Sequence, residues 1–258
     1  GIEVEDLFHG RPLIAVDLQH LLARLLEPVL AGAAQELEDA VLLLPLVARA
    51  PRDPAAGVGQ ERLAEAGRPP MPYAIARNEV SNGALGLLRL GFGLEREAPV
   101  DAGLRQSFLD IYQAIGHSNS RLFISLEDII EVSDKIDAAW GIVTNKPHDL
   151  TEGVLEALGI RHRIAALVCG DTLPQRKPHP APLLHAATQL GADPRSCIYV
   201  GDARRDIEAG RAAGMRTLAT SWGYIRPAES IRTWQADAEV DHPRKIIPML
   251  MNLSEAQP

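Results

Sequence analysis

The second half of the chain repeats one pattern, and that pattern confines the fold to a narrow class. Short, largely apolar runs alternate with amphipathic stretches. Residues 138–144 (AAWGIVT), 164–169 (IAALVC), 197–200 (CIYV) and 215–220 (MRTLAT) read as strands. Residues 149–158, 180–190 and 206–213 read as helices, closed by Gly159, Gly191 and Gly214. Strands without polar alternation are buried on both faces, and a helix between successive strands makes a parallel crossover. The expected fold is α/β, a doubly wound parallel sheet, with ligands bound beyond the carboxyl ends of its strands.

The first quarter has a different texture. Residues 1–67 hold eleven acids against five arginines, so they carry -6 of the formal -8 of the 258-residue chain. Leu13-Ile14-Ala15-Val16 reads as a short buried strand. Residues 18–46 are rich in Leu and Ala, with apolar residues at helical spacing at Leu18, Leu21, Leu22, Leu25, Leu26 and Leu30. Residues 41–47 also read as a strand, with Pro45 counting against a central position in a sheet. Residues 73–118 read as helical, with a bend at Ser81-Asn82-Gly83.

Several functions are set aside by composition. A net acidic chain with 4% aromatic residues suits neither a nucleic acid backbone nor a base-stacking platform. The longest apolar run, 40–48, is far shorter than the roughly 20 residues of a membrane span. Two cysteines, Cys169 and Cys197, make neither a disulfide framework nor a four-thiolate zinc site. A cytoplasmic protein, monomeric or homodimeric, with no nucleic acid or membrane partner is expected.

Polar groups gather at the strand ends. Thr144 and Asn145 follow one strand, Lys177 precedes a helix, and Asp202 and Asp206 frame the next strand–helix turn. Each alone is an ordinary cap or turn residue. As an ordered set they supply a hydroxyl and an ammonium for a phosphate, and two carboxylates for a hard divalent cation such as Mg²⁺.

This set resembles motifs two, three and four of the haloacid dehalogenase (HAD) superfamily of phosphatases, over roughly residues 68–250. Residues 140–147 (WGIVTNKP), 177–180 (KPHP) and 199–202 (YVGD) resemble its phosphoglycolate phosphatase branch. Residues 118–123, 222–227 (WGYIRP) and 234–243 are similar to the bacterial N-acetylmuramic acid 6-phosphate phosphatases. The resemblance implies a HAD-like Rossmannoid core with a small helical cap. It implies a division into an atypical segment at 1–67, able to supply the first core strand, a cap at 68–135 and a core at 136–258. It implies a Mg²⁺-dependent phosphomonoesterase acting on 2-phosphoglycolate or N-acetylmuramic acid 6-phosphate. Thr144 would bind the phosphoryl group, Asn145 would orient substrate, and Lys177 would neutralise charge. Asp202 would bind the metal and Asp206 would support it, while Ser81, Asn82 and Gly83 of the cap would help choose the substrate.

One part of the family pattern is missing. The family's nucleophile is an Asp at the end of the first, central strand, in Asp-x-Asp-Gly-Thr, and this sequence contains no such run. The nearest likeness is Leu13 to Leu21, which offers Asp17 as nucleophile, with Gln19 where the general acid/base stands. By spacing, residues 40–46 suit the central strand better, yet no acid follows them directly. Three accounts remain open: a non-catalytic member that binds phosphate ligands or a protein partner, an N-terminal stretch altered in reading frame or junction, or Asp17 acting from an unusual position. Residues 123–126 (FISL) also depart from the family, which has Pro or Asp followed by Gly there.

Overall fold

The computed structural model describes residues 41–44, 48–49, 75–76, 79–115, 120–123, 125–135, 138–226 and 230–253. Its elements, in chain order, are β1 (Val41–Leu44), β2 (Ala48–Arg49), α1 (Gly83–Phe92), α2 (Ala102–Ile115), β3 (Arg121–Leu122), α3 (Leu126–Lys135) and β4 (Ala139–Val143). They continue with α4 (His148–Ala157), β5 (Ala166–Val168), α5 (Ala181–Gln189), β6 (Cys197–Gly201), α6 (Arg204–Ala212), β7 (Arg216–Thr220), β8 (Ala238–Val240) and α7 (Ile247–Leu253).

Six strands form one parallel sheet in the order β5-β4-β1-β6-β7-β8. Successive side chains of a strand point to opposite faces, so each apolar strand feeds two cores. Ile142, Ile198 and Val200 pack with Leu126, Ile129, Leu155 and Leu250 on one side. Val143, Cys197 and Tyr199 pack with Leu183, Ala186, Ala209 and Met215 on the other. Helices α3, α4 and α7 therefore cover one face, and α5 and α6 the other. This is the doubly wound α/β core expected from the alternation, and each expected strand and helix of residues 138–220 is present.

The central strand falls within residues 40–46, as the spacing suggested, and only the objection from Pro45 is overturned. Val41–Leu44 pairs with β4 on one side and with β6 on the other, so it sits in the middle of the sheet. Pro45 does not exclude it, because the ladder ends at Leu44, before the residue that lacks an N–H. Leu13–Val16 and Asp17 lie outside the described residues.

The two helices α1 and α2 form a small layer of their own. Leu87, Leu88, Phe108 and Tyr112 pack there with Leu150, which belongs to α4 of the core. That shared cluster seats the helical layer on the carboxyl end of the sheet. β2 and β3 form a separate antiparallel pair beside it.

Between β3 and α3, Ser125 has φ +65°, a left-handed conformation that favours glycine. This is the segment where the sequence departs from the family's Gly. Ser125→Gly is expected to stabilise the fold by about 0.5–1 kcal/mol, the strain relieved less the added freedom of the unfolded chain. Urea unfolding checks it, and an unchanged or lower midpoint would refute the strain.

Candidate active site

A cavity of about 440 Å³ opens where the helical layer meets the strand ends. Thr144, Asn145, Lys177, Asp202 and Asp206 line it from the core, and Ser81, Asn82 and Gly83 line it from the helical layer. The structure thus brings together every sequence-selected site residue except Asp17, which is not among the described residues.

Thr144 leaves β4 with its N–H bonded to Val168 O at 2.9 Å, while its hydroxyl accepts from the Lys146 N–H at 3.1 Å. The Asn145 side chain is tied to the backbone of residue 177. Its Nδ2 donates to Lys177 O at 2.9 Å, and its Oδ1 accepts from Lys177 N at 3.1 Å. This two-point clamp fixes the loop that carries the lysine, so Asn145 holds Lys177 in place as well as lining the cavity.

Lys177 is 6% exposed and Asp206 2% exposed. The ammonium donates to Val143 O and to the Tyr199 hydroxyl, both at 2.7 Å. It also contacts Asp206 Oδ1 at 2.8 Å, without the alignment of a hydrogen bond. One cation therefore joins the end of β4, the middle of β6 and the first turn of α6. Burial, and then the charges of Asp206 and Asp202, push the Tyr199 phenol well above its ordinary value, so the hydroxyl stays protonated.

The two carboxylates are placed by close packing. A Cβ on Gly223 would collide with Asp202 Cβ and Oδ2, and a Cβ on Gly201 would collide with Asp206 Cβ. Asp202 Oδ2 accepts from the Tyr224 N–H at 3.2 Å. Asp206 Oδ2 accepts from the Ala203 N–H at 3.1 Å, which caps the start of α6. Burial first, and then the neighbouring Asp206 charge, raise the Asp202 carboxyl above the usual carboxylate range.

This arrangement suits a divalent cation. Asp206 Oδ1 is buried and has no hydrogen-bond partner among the described residues, although it touches the ammonium. Two crowded carboxylates repel unless a positive charge sits with them. Among the described residues no group of three or more His, Cys, Asp or Glu converges. A metal here would take carboxylate oxygen from this pair and fill its shell with phosphate and water, the habit of Mg²⁺.

Several lining residues escaped the sequence reading. Arg205 Nη2 donates to Ser81 O at 2.6 Å, tying α6 to the helical layer. Ser81 Oγ donates to Tyr224 O at 3.4 Å, and Arg226 pairs with Glu79 at 2.6 Å, which adds two further ties. The Tyr224 ring stands edge-on to Phe123 at 6.2 Å between centroids. Arg105, Phe108, Leu109 and Tyr112 also face the cavity. Their i, i+3, i+4, i+7 spacing was readable as one helix face.

Similarity to known proteins agrees with this geometry. Residues 93–220 match the family model described as haloacid dehalogenase-like hydrolase. The chain is 40% identical over 193 residues to an N-acetylmuramic acid 6-phosphate phosphatase of Pseudomonas aeruginosa, covering 75% of this chain and 85% of that one. It is 42% identical over 181 residues to a phosphoglycolate phosphatase of Xylella fastidiosa, covering 70% of this chain and 79% of the relative. Among solved structures, a predicted phosphoglycolate phosphatase from Haemophilus somnus superposes with a TM-score of 0.72 at 22% identity, covering 82% of this chain and 98% of that one. With its fold, its strand-end residues and relatives at this identity in agreement, the chain belongs to the haloacid dehalogenase-like hydrolases.

Proposed function

We propose that the protein is a Mg²⁺-dependent phosphomonoesterase of the phosphoglycolate phosphatase type. Its substrate would be a small phosphorylated acid or sugar, with 2-phosphoglycolate and N-acetylmuramic acid 6-phosphate as candidates. The observation that carries this reading is the convergence of Thr144, Lys177, Asp202 and Asp206 at adjoining strand ends around one cavity. In this reading Thr144 donates its hydroxyl proton to a phosphoryl oxygen. Lys177 supplies fixed positive charge, held in place by Asn145. Asp202 would hold Mg²⁺, with Asp206 supporting its shell, and the cation would supply neutralising charge for the phosphoryl oxygens. Ser81, Asn82 and Gly83 close the cavity over the leaving group, and Asp17 is the sequence's candidate for the nucleophile. Phosphoryl transfer depends chiefly on positioning and charge neutralisation, which these groups supply.

The cytoplasm is the proposed location. Cys169 and Cys197 are buried free thiols, pushed by burial up to about 11, as befits a reducing compartment. No helix of the described residues is long and apolar enough to cross a membrane.

A second reading, ligand binding without turnover, is favoured by the residues that follow β1. They are Pro45-Leu46-Val47, and the next carboxylate in sequence is Asp53. Release of phosphate from p-nitrophenyl phosphate separates the two readings. The expected result is Mg²⁺-dependent release that EDTA removes and that Asp17→Asn abolishes. Release that survives Asp17→Asn moves the nucleophile elsewhere. Mg²⁺-dependent phosphate binding with no release overturns turnover in favour of the second reading.

A further inference from the structure

The cavity carries more positive charge than one phosphoryl group needs. Among the described residues, five cations line it, Arg105, Lys146, Arg176, Lys177 and Arg205, against the two carboxylates Asp202 and Asp206. This contrasts with the net -8 of the whole chain. Lys177 is matched by Asp206, and Arg205 is held by Ser81 O. Among the described residues, Arg105, Lys146 and Arg176 have no carboxylate in contact. Arg176 adjoins Lys177 on the core side. Arg105 belongs to α2 of the helical layer, and Lys146 reaches that layer through Tyr112.

These two meet the cavity from its helical side. Lys146 Nζ donates to the Tyr112 hydroxyl at 2.7 Å. Arg105 is two helical turns before Tyr112 on the same face of α2, about 10 Å along the axis. Between them lies an apolar wall of Phe108 and Leu109, continued on α4 by Leu150 and Val154. A strip of cation, apolar wall and cation matches a ligand body with a second anionic group at its far end. The cavity volume points the same way. At about 30 Å³ per water-sized group, 440 Å³ holds about fifteen such groups, more than the roughly nine heavy atoms of a two-carbon phosphorylated acid and close to the roughly sixteen of a hexose phosphate.

We propose that Arg105 and Lys146 form an anion subsite that recognises a carboxylate on the substrate, so that the preferred substrate is a phosphorylated sugar acid. This rests on the reading that the phosphoryl group sits among Thr144, Lys177 and Asp202, and it narrows the substrate class of that same site. Neutral sugar phosphates leave the two cations unpaired, and a two-carbon acid is shorter than the roughly 10 Å of α2 between Arg105 and Tyr112. A carboxylate bonded to Arg or Lys makes a charge-assisted hydrogen bond, worth about tenfold or more in affinity.

Calorimetric titration in Mg²⁺ with inorganic phosphate, glucose 6-phosphate, 2-phosphoglycolate and 6-phosphogluconate tests the proposal. The last pairs a six-carbon body with a carboxylate. The wild-type protein is expected to bind 6-phosphogluconate at least about tenfold more tightly than glucose 6-phosphate or 2-phosphoglycolate. Arg105→Gln and Lys146→Met should each cut that preference to about threefold or less, and shift inorganic phosphate by less than about twofold. Equal affinity of the wild-type protein for the three esters overturns the subsite while leaving the phosphoryl site standing. Variants that weaken all four ligands alike also overturn it, since the cations then act as a general field. If none of the four binds, inorganic phosphate included, the phosphoryl site fails and the subsite falls with it.

Discussion

Lys177→Met is expected to destabilise the protein by about 3–5 kcal/mol, the usual cost of removing one partner of a buried ion pair. The magnitude follows from what is left behind. The ammonium satisfies Val143 O, the Tyr199 hydroxyl and Asp206 Oδ1 at once. Methionine fills a similar volume and bonds none of them. A carbonyl, a phenol and a carboxylate then remain buried together, and the carboxylate dominates because its desolvation goes unrepaid. Domains of this size are stable by about 5–15 kcal/mol, so the variant should unfold at markedly lower urea. Adding Asp206→Asn should restore much of the loss, because the orphan charge is gone, while Mg²⁺-dependent phosphate binding stays absent. A single variant that loses less than about 1 kcal/mol would show that the pair contributes little to the fold. A double variant no more stable than the single one would show that packing, and not the orphan charge, sets the cost.

The core was legible because its signals are local and redundant. Apolar strands, glycine helix stops and strand-end polar residues agree at every step from residue 138 to residue 220, and each is fixed by period or by position in a crossover. The central strand was harder to place. Pro45 argued against it, since the sequence does not mark where the ladder of Val41–Leu44 ends. The role of Arg205 was not legible for a related reason. Its partner is the backbone oxygen of Ser81, 124 residues away in sequence and brought close only by docking of the helical layer. Asn145 shows the same limit. Its place after the strand signals the site, but its two bonds to the backbone of residue 177 depend on a loop that composition does not describe. Motif residues were found by type and order, whereas the contacts that hold them come from tertiary packing.

Asp202→Asn should have two opposite effects, and that opposition is what identifies a metal carboxylate. With Mg²⁺ present, the variant is expected to lose the metal-dependent part of phosphate affinity, by about a hundredfold or more, because the cation loses one of the two carboxylates at the site. Without metal, the same substitution should stabilise the fold by about 1 kcal/mol, since it relieves a like-charge pair and keeps a polar group for the Tyr224 N–H. The pH dependence has a definite sign. The Asp202 carboxyl is raised above its unfolded value, so the folded protein takes up a proton more readily than the unfolded chain. Metal-free stability should therefore rise as pH falls through the raised folded value, and level off near the unfolded value of about 4. Asp202→Asn should remove that slope. In the same window protons compete with Mg²⁺, so metal affinity should weaken on acidification earlier than for an ordinary aspartate. Mg²⁺ titrations and urea melts across about pH 4–8 measure both effects. An Asn variant that keeps Mg²⁺-dependent phosphate binding would remove Asp202 from the metal site. One that is less stable without metal would show that the carboxylate serves the fold as a hydrogen-bond acceptor, and not a ligand held at a cost to stability.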